Sequence, residues 1–251
     1  MRESHPPVGR APLPLPPLPP ALAAAFAAAT AGGGKRDRTQ GALVRAAAEV
    51  FGARGVAAAT IQEVAQVAGV TAATVYNHFA SKEELLERVT VVVAQSLCRA
   101  IADSQAQVAD GAERVAIGQR RYALLAQESP GWALLLLDIA AASPSLLAQI
   151  EAYPLADLRL AAKQKRLKVP NEAIALDTIQ GTCTMAMRRV ALGLAPARYD
   201  VALATVVLRA LGMAADEAAA VARRPLPPLV GSLPAEAPRV RSKRGGTRRS
   251  D

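Results

Sequence analysis

TIQEVAQVAGVTAATVYNHFASKEELL, residues 60–86, holds three helix starts in one short stretch. Thr60 precedes Glu63 by three positions, and Ser81 precedes Glu84 by the same interval. Each pair has the capping-box pattern, in which hydroxyl and carboxylate satisfy the first free amides of a helix. Between them Gly69 permits a tight reversal, and Thr71 is placed to cap a third, short helix beginning at Ala72. Two short helices joined by a Gly-containing turn, with a longer helix after them, predict a helix-turn-helix. The second helix of such a unit is the usual reader of the DNA major groove.

The apolar spacing on either side agrees. Leu43, Ala46, Ala47, Val50 and Phe51 recur at the interval of one helical face, and Gly55 sits where that helix would end. Ile61, Val64, Ala65 and Ala68 repeat the interval, while Val75 and Phe79 mark the inner face of the third helix. A three-helix core of this size is small, so Phe51 and Phe79 are expected to anchor it. Ala72, Ala73, Tyr76 and Asn77 are left outside. A face of small and polar groups suits close approach to base edges and phosphates.

Composition narrows the rest. The chain has 251 residues, is 51% apolar and only 3% aromatic, and shows no persistent period-2 pattern, so an all-α fold of one or two domains is expected. Cys98 and Cys183 are far apart without CxxC spacing, which points to buried free thiols rather than a metal site or disulfide scaffold, a redox pair being the minor alternative. The two histidines are His5 and His78, and no nucleophile motif, phosphate loop or ligand cluster accompanies them. Neither enzyme activity nor a cofactor nor a metal is expected. The longest apolar run, Trp132–Leu137 with Ile139–Ala142, is broken by Asp138 and too short for a bilayer. With no secretory pattern at the start, a cytoplasmic protein without membrane contact is expected.

The net charge is +9, but residues 223–251 carry +6 of it and residues 35–88 only +1. A nucleic-acid reading therefore rests on the motif and not on the charge. The organisation expected is a Pro/Ala/Gly-rich disordered extension at 1–34, with at most a fluctuating helix, and a helix-turn-helix domain at 35–88. A helical domain at 89–222 and a disordered basic tail at 223–251, running through Arg239, Arg241, Lys243, Arg244, Arg248 and Arg249, complete it. Lys35, Arg36 and Arg38 would form a short basic arm. Beyond the long helix from Ser81, helices are expected at 111–127, 131–142, 145–167 with a kink or break at Pro154, 171–193, 198–211 and 214–222.

From about Arg38 to Val93 the chain resembles the DNA-binding domain of the TetR family of bacterial transcriptional regulators. The resemblance is carried by Ala47–Phe51, Gly55, Thr60, the run Ala65–Val70, Thr74-Val75-Tyr76, His78-Phe79, Ser81-Lys82-Glu83 and Leu85. It implies a DNA-binding set of Thr60, Gln62, Thr71, Ala72, Ala73, Thr74, Tyr76, Asn77, His78 and Lys82. Tyr76, His78 and Lys82 would meet phosphates, joined by Thr60 and Thr71 at their helix starts, and Ala72, Ala73, Asn77 and Gln62 would meet base edges. Two alanines at the helix tip leave polar readout thin, so DNA shape would contribute. The structural alternatives are that Tyr76 packs on the first helix, that His78 is a core histidine and that Asn77 is merely solvated.

The resemblance also implies an effector pocket in the second half, with Gln95, Cys98, Arg99, Tyr122, Trp132, Leu136 and Met185 as its candidate lining and Asp138 as a further polar contact. An unknown small-molecule effector, mostly apolar, would occupy it, core packing being the alternative for each residue. Homodimerisation is implied through the helices near 171–193 and 198–211. The expected function is a ligand-responsive homodimeric repressor of a palindromic operator. The alternative is an effector-independent DNA scaffold dominated by its basic tail.

Overall fold

The computed structural model describes residues 18, 20–31, 33–142 and 144–229, and among these every regular element is an α-helix. The start of the Pro-rich segment and the basic run Arg239–Arg249 lie outside them.

Helix α1 (Pro20–Ala29) occupies a stretch read from the sequence as part of the extension. That reading is corrected. Phe26 is buried in one cluster with Leu43, Phe51 and Leu85, and α1 lies along the long helix α5 (Lys82–Ser104). The Arg45 guanidinium donates to the Thr30 carbonyl at 2.9 Å and to the Thr30 hydroxyl at 3.0 Å, closing an end where helix carbonyls lack partners. Gly41 permits this approach, since a Cβ there would lie 2.0 Å from the Thr30 carbonyl oxygen. Alanines with a single Phe carry no apolar period, which is why the docking was not legible.

Helix α2 (Lys35–Arg54) takes Lys35, Arg36 and Arg38 into its exposed first turns, so they are helical rather than a reaching arm. Leu43, Ala46, Ala47, Val50 and Phe51 are all buried, as their spacing predicts. Helix α3 (Ile61–Ala68) has the full capping box: Thr60 N–H donates to Glu63 at 2.9 Å, and Glu63 N–H to the Thr60 hydroxyl at 3.2 Å. Gly69, at φ 68° and ψ 31°, turns the chain in the left-handed region. Thr71 then caps helix α4 (Ala72–Tyr76) by accepting from Thr74 N–H at 3.2 Å. The second expected box is only half formed. Ser81 accepts from Glu84 N–H at 3.1 Å, but the Glu84 carboxylate reaches back to Ala80 N–H at 2.6 Å instead.

The second half holds α6 (Gly111–Glu128), α7 (Pro130–Ala142), α8 (Pro144–Lys163), α9 (Glu172–Ala191), α10 (Tyr199–Ala210) and α11 (Ala215–Ala222). Helix α8 runs unbroken through Pro154. Helix α6 is the hub, packed on α8, α9 and α10 around Val115, Leu158, Ile179, Ala204, Val207 and Leu208. The boundary expected near residue 88 falls inside α5, where Val89, Val92 and Val93 still belong to the cluster of the first helices. No single helix among the described residues is long and apolar enough to cross a membrane.

Candidate nucleic-acid face and internal cavity

Helix α4 divides cleanly between inside and outside. Val75 is fully buried and Phe79, just beyond the helix, is 3% exposed, fixing the inner face on Phe51 and the rest of the cluster. On the other face Tyr76 is 52% exposed, and Ala73 and Asn77 are exposed with it. Packing on the preceding helices does not absorb Tyr76. Thr60, Gln62 and Thr71 are exposed as well, while Ala72, Thr74 and His78 are half-buried. The Thr71 and Thr74 hydroxyls lie 3.0 Å apart and share a hydrogen bond.

Lys82 is placed differently from the phosphate contact expected of its side chain. Its ammonium donates to the Val56 carbonyl at 3.0 Å and to the Ala59 carbonyl at 3.1 Å. It ties the start of α5 to the α2–α3 connection, whose carbonyls face it directly.

A cavity of about 400 Å³ opens among α5, α6, α7, α8 and α9. Leu97, Ile101, Leu137, Leu147 and Ile150 make much of its wall apolar. Of the expected lining, Cys98, Tyr122 and Leu136 are present, with Cys98 Sγ 3.0 Å from the Tyr122 hydroxyl. Burial pushes the Cys98 thiol up to about 11 and that of Cys183, also on the wall, to about 12, so both stay protonated at neutral pH.

The other expected residues lie elsewhere. Trp132 is 2% exposed but belongs to the cluster of the first helices, beside the cavity and not on its wall. Met185 is 63% exposed on the outside of α9. Met187, two positions on, faces inward with Cys183, one turn before it, because residues four apart share a helical face. Gln95 is hydrogen-bonded to Gln149, exposed Arg99 pairs with Asp103 at 3.4 Å, and exposed Asp138 pairs with Arg188 at 3.3 Å.

Polar groups that sequence reasoning missed line the cavity instead: Gln105, Gln119, Asp157 and Tyr153. Gln105 Nε2 donates to Asp157 at 2.6 Å, and Gln119 Nε2 to the Ile179 carbonyl at 2.9 Å. Burial raises the Asp157 carboxyl to about 6 despite Gln105 and the Arg114 guanidinium, 3.8 Å away. Polar residues on amphipathic helices read as solvated, so no sequence signal marked them.

Among the described residues no group of His, Cys, Asp and Glu could hold a metal. The outer faces of α9 and α10 show Ile174 at 62%, Met185 at 63% and Val206 at 59% exposure. Most other apolar residues of these two helices, including Ile179, Ala186, Ala204, Val207 and Leu208, are spent in the core.

Comparison with known proteins places this architecture. Residues 43–89 match the family model for bacterial regulatory proteins of the tetR family, and residues 110–224 that for the tetracyclin repressor-like C-terminal domain. The transcriptional activator FasR of Mycolicibacterium smegmatis is 31% identical over 117 residues, 46% of this chain and 53% of FasR. The transcriptional repressor KstR2 of Mycobacterium tuberculosis is 38% identical over 56 residues, 22% of this chain and 28% of KstR2. The match thus spans about half the length of the first of these curated relatives and less of the second. Among solved structures, RolR in complex with resorcinol superposes with a TM-score of 0.66 at 27% identity, over 78% of this chain and 98% of RolR. These matches cover both the capped helix-turn-helix and the helical bundle behind it, and the chain belongs to the TetR family of bacterial transcriptional regulators, DNA-binding proteins rather than enzymes.

Proposed function

We propose that this chain is a ligand-responsive homodimeric repressor that binds a two-fold symmetric operator. The observation that carries the reading is the outward face of α4, with Ala73, Tyr76 and Asn77 presented on a core that runs along α5 to the cavity. Tyr76 and His78 would hold the sugar-phosphate edge, with Thr60 and Thr71 at their helix starts. Asn77 and Gln62 suit adenine edges, and Ala72 and Ala73 suit thymine methyls.

The chemistry of α9 and α10 supports a dimer. Ile174 and Met185 lie on one side of α9, and Val206 stands out from α10, leaving apolar side chains for a second copy to cover. Two heads on one operator multiply contacts that a head of charge +1 makes sparingly. A DNA-bound role is consistent with the cytoplasm.

The route from ligand to head is short. Helix α5 contributes Leu85 and Val89 to the core of the head, and Cys98 and Ile101 to the cavity. Helix α7 contributes Trp132 to that same core, and Leu136 and Leu137 to the cavity. A ligand that fits better when α5 and α7 are displaced would reset the separation of two heads and release DNA; only such differential affinity shifts the equilibrium. RolR, solved with resorcinol, supports an effector. FasR is named an activator and KstR2 a repressor. Repression is the reading adopted, as occlusion by a bound dimer needs no further partner.

The test is an anisotropy titration of the full-length protein on genomic fragments that it selects, with sedimentation in parallel. A dimer with specific, salt-dependent binding that survives deletion of residues 230–251 is expected. M185E/V206E should yield monomers without operator binding. Binding that vanishes with the tail would assign the DNA contact to the tail instead.

A further inference from the structure

Two buried acceptors on the cavity wall have no partner. Gln105 is 4% exposed and Gln119 is 2% exposed, and the Oε1 atom of each lacks a hydrogen bond among the described residues. The amide orientations are not interchangeable. Gln105 Nε2 faces the Asp157 carboxylate at 2.6 Å and Gln119 Nε2 faces the Ile179 carbonyl at 2.9 Å, and both of those are acceptors. Turning either amide over would set oxygen against oxygen. Each Oε1 is therefore an acceptor that folding has buried and left unused, which is costly unless a donor arrives.

The rest of the wall argues about charge. Arg114 is the basic residue on it among the described residues, and its guanidinium is already occupied by the Val108 carbonyl at 2.7 Å, the Ala106 carbonyl at 3.2 Å and the Asp157 carboxylate at 3.8 Å. Asp157 adds a carboxylate. A carboxylate or phosphate entering here would meet unpaired acceptors, and the one guanidinium on the wall already balances Asp157 and has no further charge to offer.

We propose that the cavity selects a neutral, mostly apolar molecule bearing two hydroxyl or N–H donors, one for Gln105 Oε1 and one for Gln119 Oε1. This deepens the effector reading above and rests on it for its regulatory meaning. The two glutamines are anchored to different walls, Gln105 through α8 and Gln119 through α9, so each acceptor calls for its own donor on the ligand. Fatty-acyl carboxylates and acyl thioesters of phosphorylated carriers are selected against by the same groups.

Calorimetric titration of the full-length protein tests this with benzene-1,3-diol, benzene-1,4-diol and biphenyl-4,4′-diol, each beside its dimethyl ether, and with biphenyl-4-carboxylate. At least one diol should bind about tenfold or more tighter than its own ether, equivalent to about 1.4 kcal/mol, and tighter than the carboxylate. Q105M and Q119M, which keep side-chain length, should each bring that ratio towards one. The ligand series on the unmodified protein decides the matter even if a variant misfolds. If no diol binds, if the ethers bind as well as the diols, or if the carboxylate binds best, the proposal is wrong. Operator release is measured separately: a diol that binds without releasing DNA leaves this inference standing and removes the inducer mechanism.

Discussion

The head and the cavity half of this chain are built to opposite specifications. In the head the polar groups at the helix starts are matched. Thr60 and Glu63 cap each other, Thr71 caps α4, and the Lys82 ammonium spans two carbonyls. Phe51 and Phe79 fill the centre with almost no exposed surface. In the cavity half a space of about 400 Å³ is left open, two glutamine oxygens are unpaired and a carboxylate is held near pH 6. The first region must keep one shape to fit a duplex. On the reading proposed above, the second retains unsatisfied chemistry for a ligand to complete.

Truncation of the two cores gives the largest separation. Phe51→Ala should cost about 3–5 kcal/mol in urea unfolding, because it opens a cavity in a closed cluster. Leu147→Ala, on a wall already open and 38% exposed, should cost less than about 1 kcal/mol. Similar costs would remove the contrast.

Next in size is the pH dependence of Asp157. Its folded carboxyl titrates near 6, above the usual 3.8, because it is buried. Between those values the folded chain holds a proton that the unfolded chain has released, so stability falls as pH rises through the window. Asp157→Asn escapes ionisation. Its advantage over the parent should be small at pH 4 and grow to roughly 2 kcal/mol by pH 7. A gap that does not change with pH would show that the carboxyl is not held up by burial.

Smaller effects probe the head. Lys82→Met removes two bonds from an ammonium and should cost about 1–2 kcal/mol, while Thr60→Ala removes a cap for about 1 kcal/mol. Lys82→Met should act on thermal stability more than on the salt slope of DNA binding. Tyr76→Phe should leave stability unchanged and weaken operator binding a few-fold, as expected for one exposed phosphate contact.

What the sequence disclosed follows this division. Caps and apolar intervals are local: Thr60, Gly69 and Thr71 act within a few residues of where they stand, and the helical interval alone marks Phe51 and Phe79 as inward-facing. The cavity is made by helices far apart in the chain, and its lining depends on helical phase. On α7 the run Trp132–Leu137 is apolar on all sides, so its phase could not be read, and Trp132 lies on the head side. On α9 the spacing of Ile179, Cys183 and Met187 would have favoured Met187 over Met185. Gln119 carried no signal because polar residues on helices normally face water, and Gln105 none because it stands just past the end of α5, where a polar residue is ordinary. Helix α1 was hidden by alanine.

Hydroxyl-radical footprinting of the full-length protein on the DNA it selects tests the outward role of α4 most directly. Two protected half-sites related by a two-fold axis are expected, a whole number of helical turns of about 10 base pairs apart, with loss of both in A73E/Y76A, which alters only exposed positions. Unsymmetrical protection, or a footprint unchanged in that variant, would contradict it.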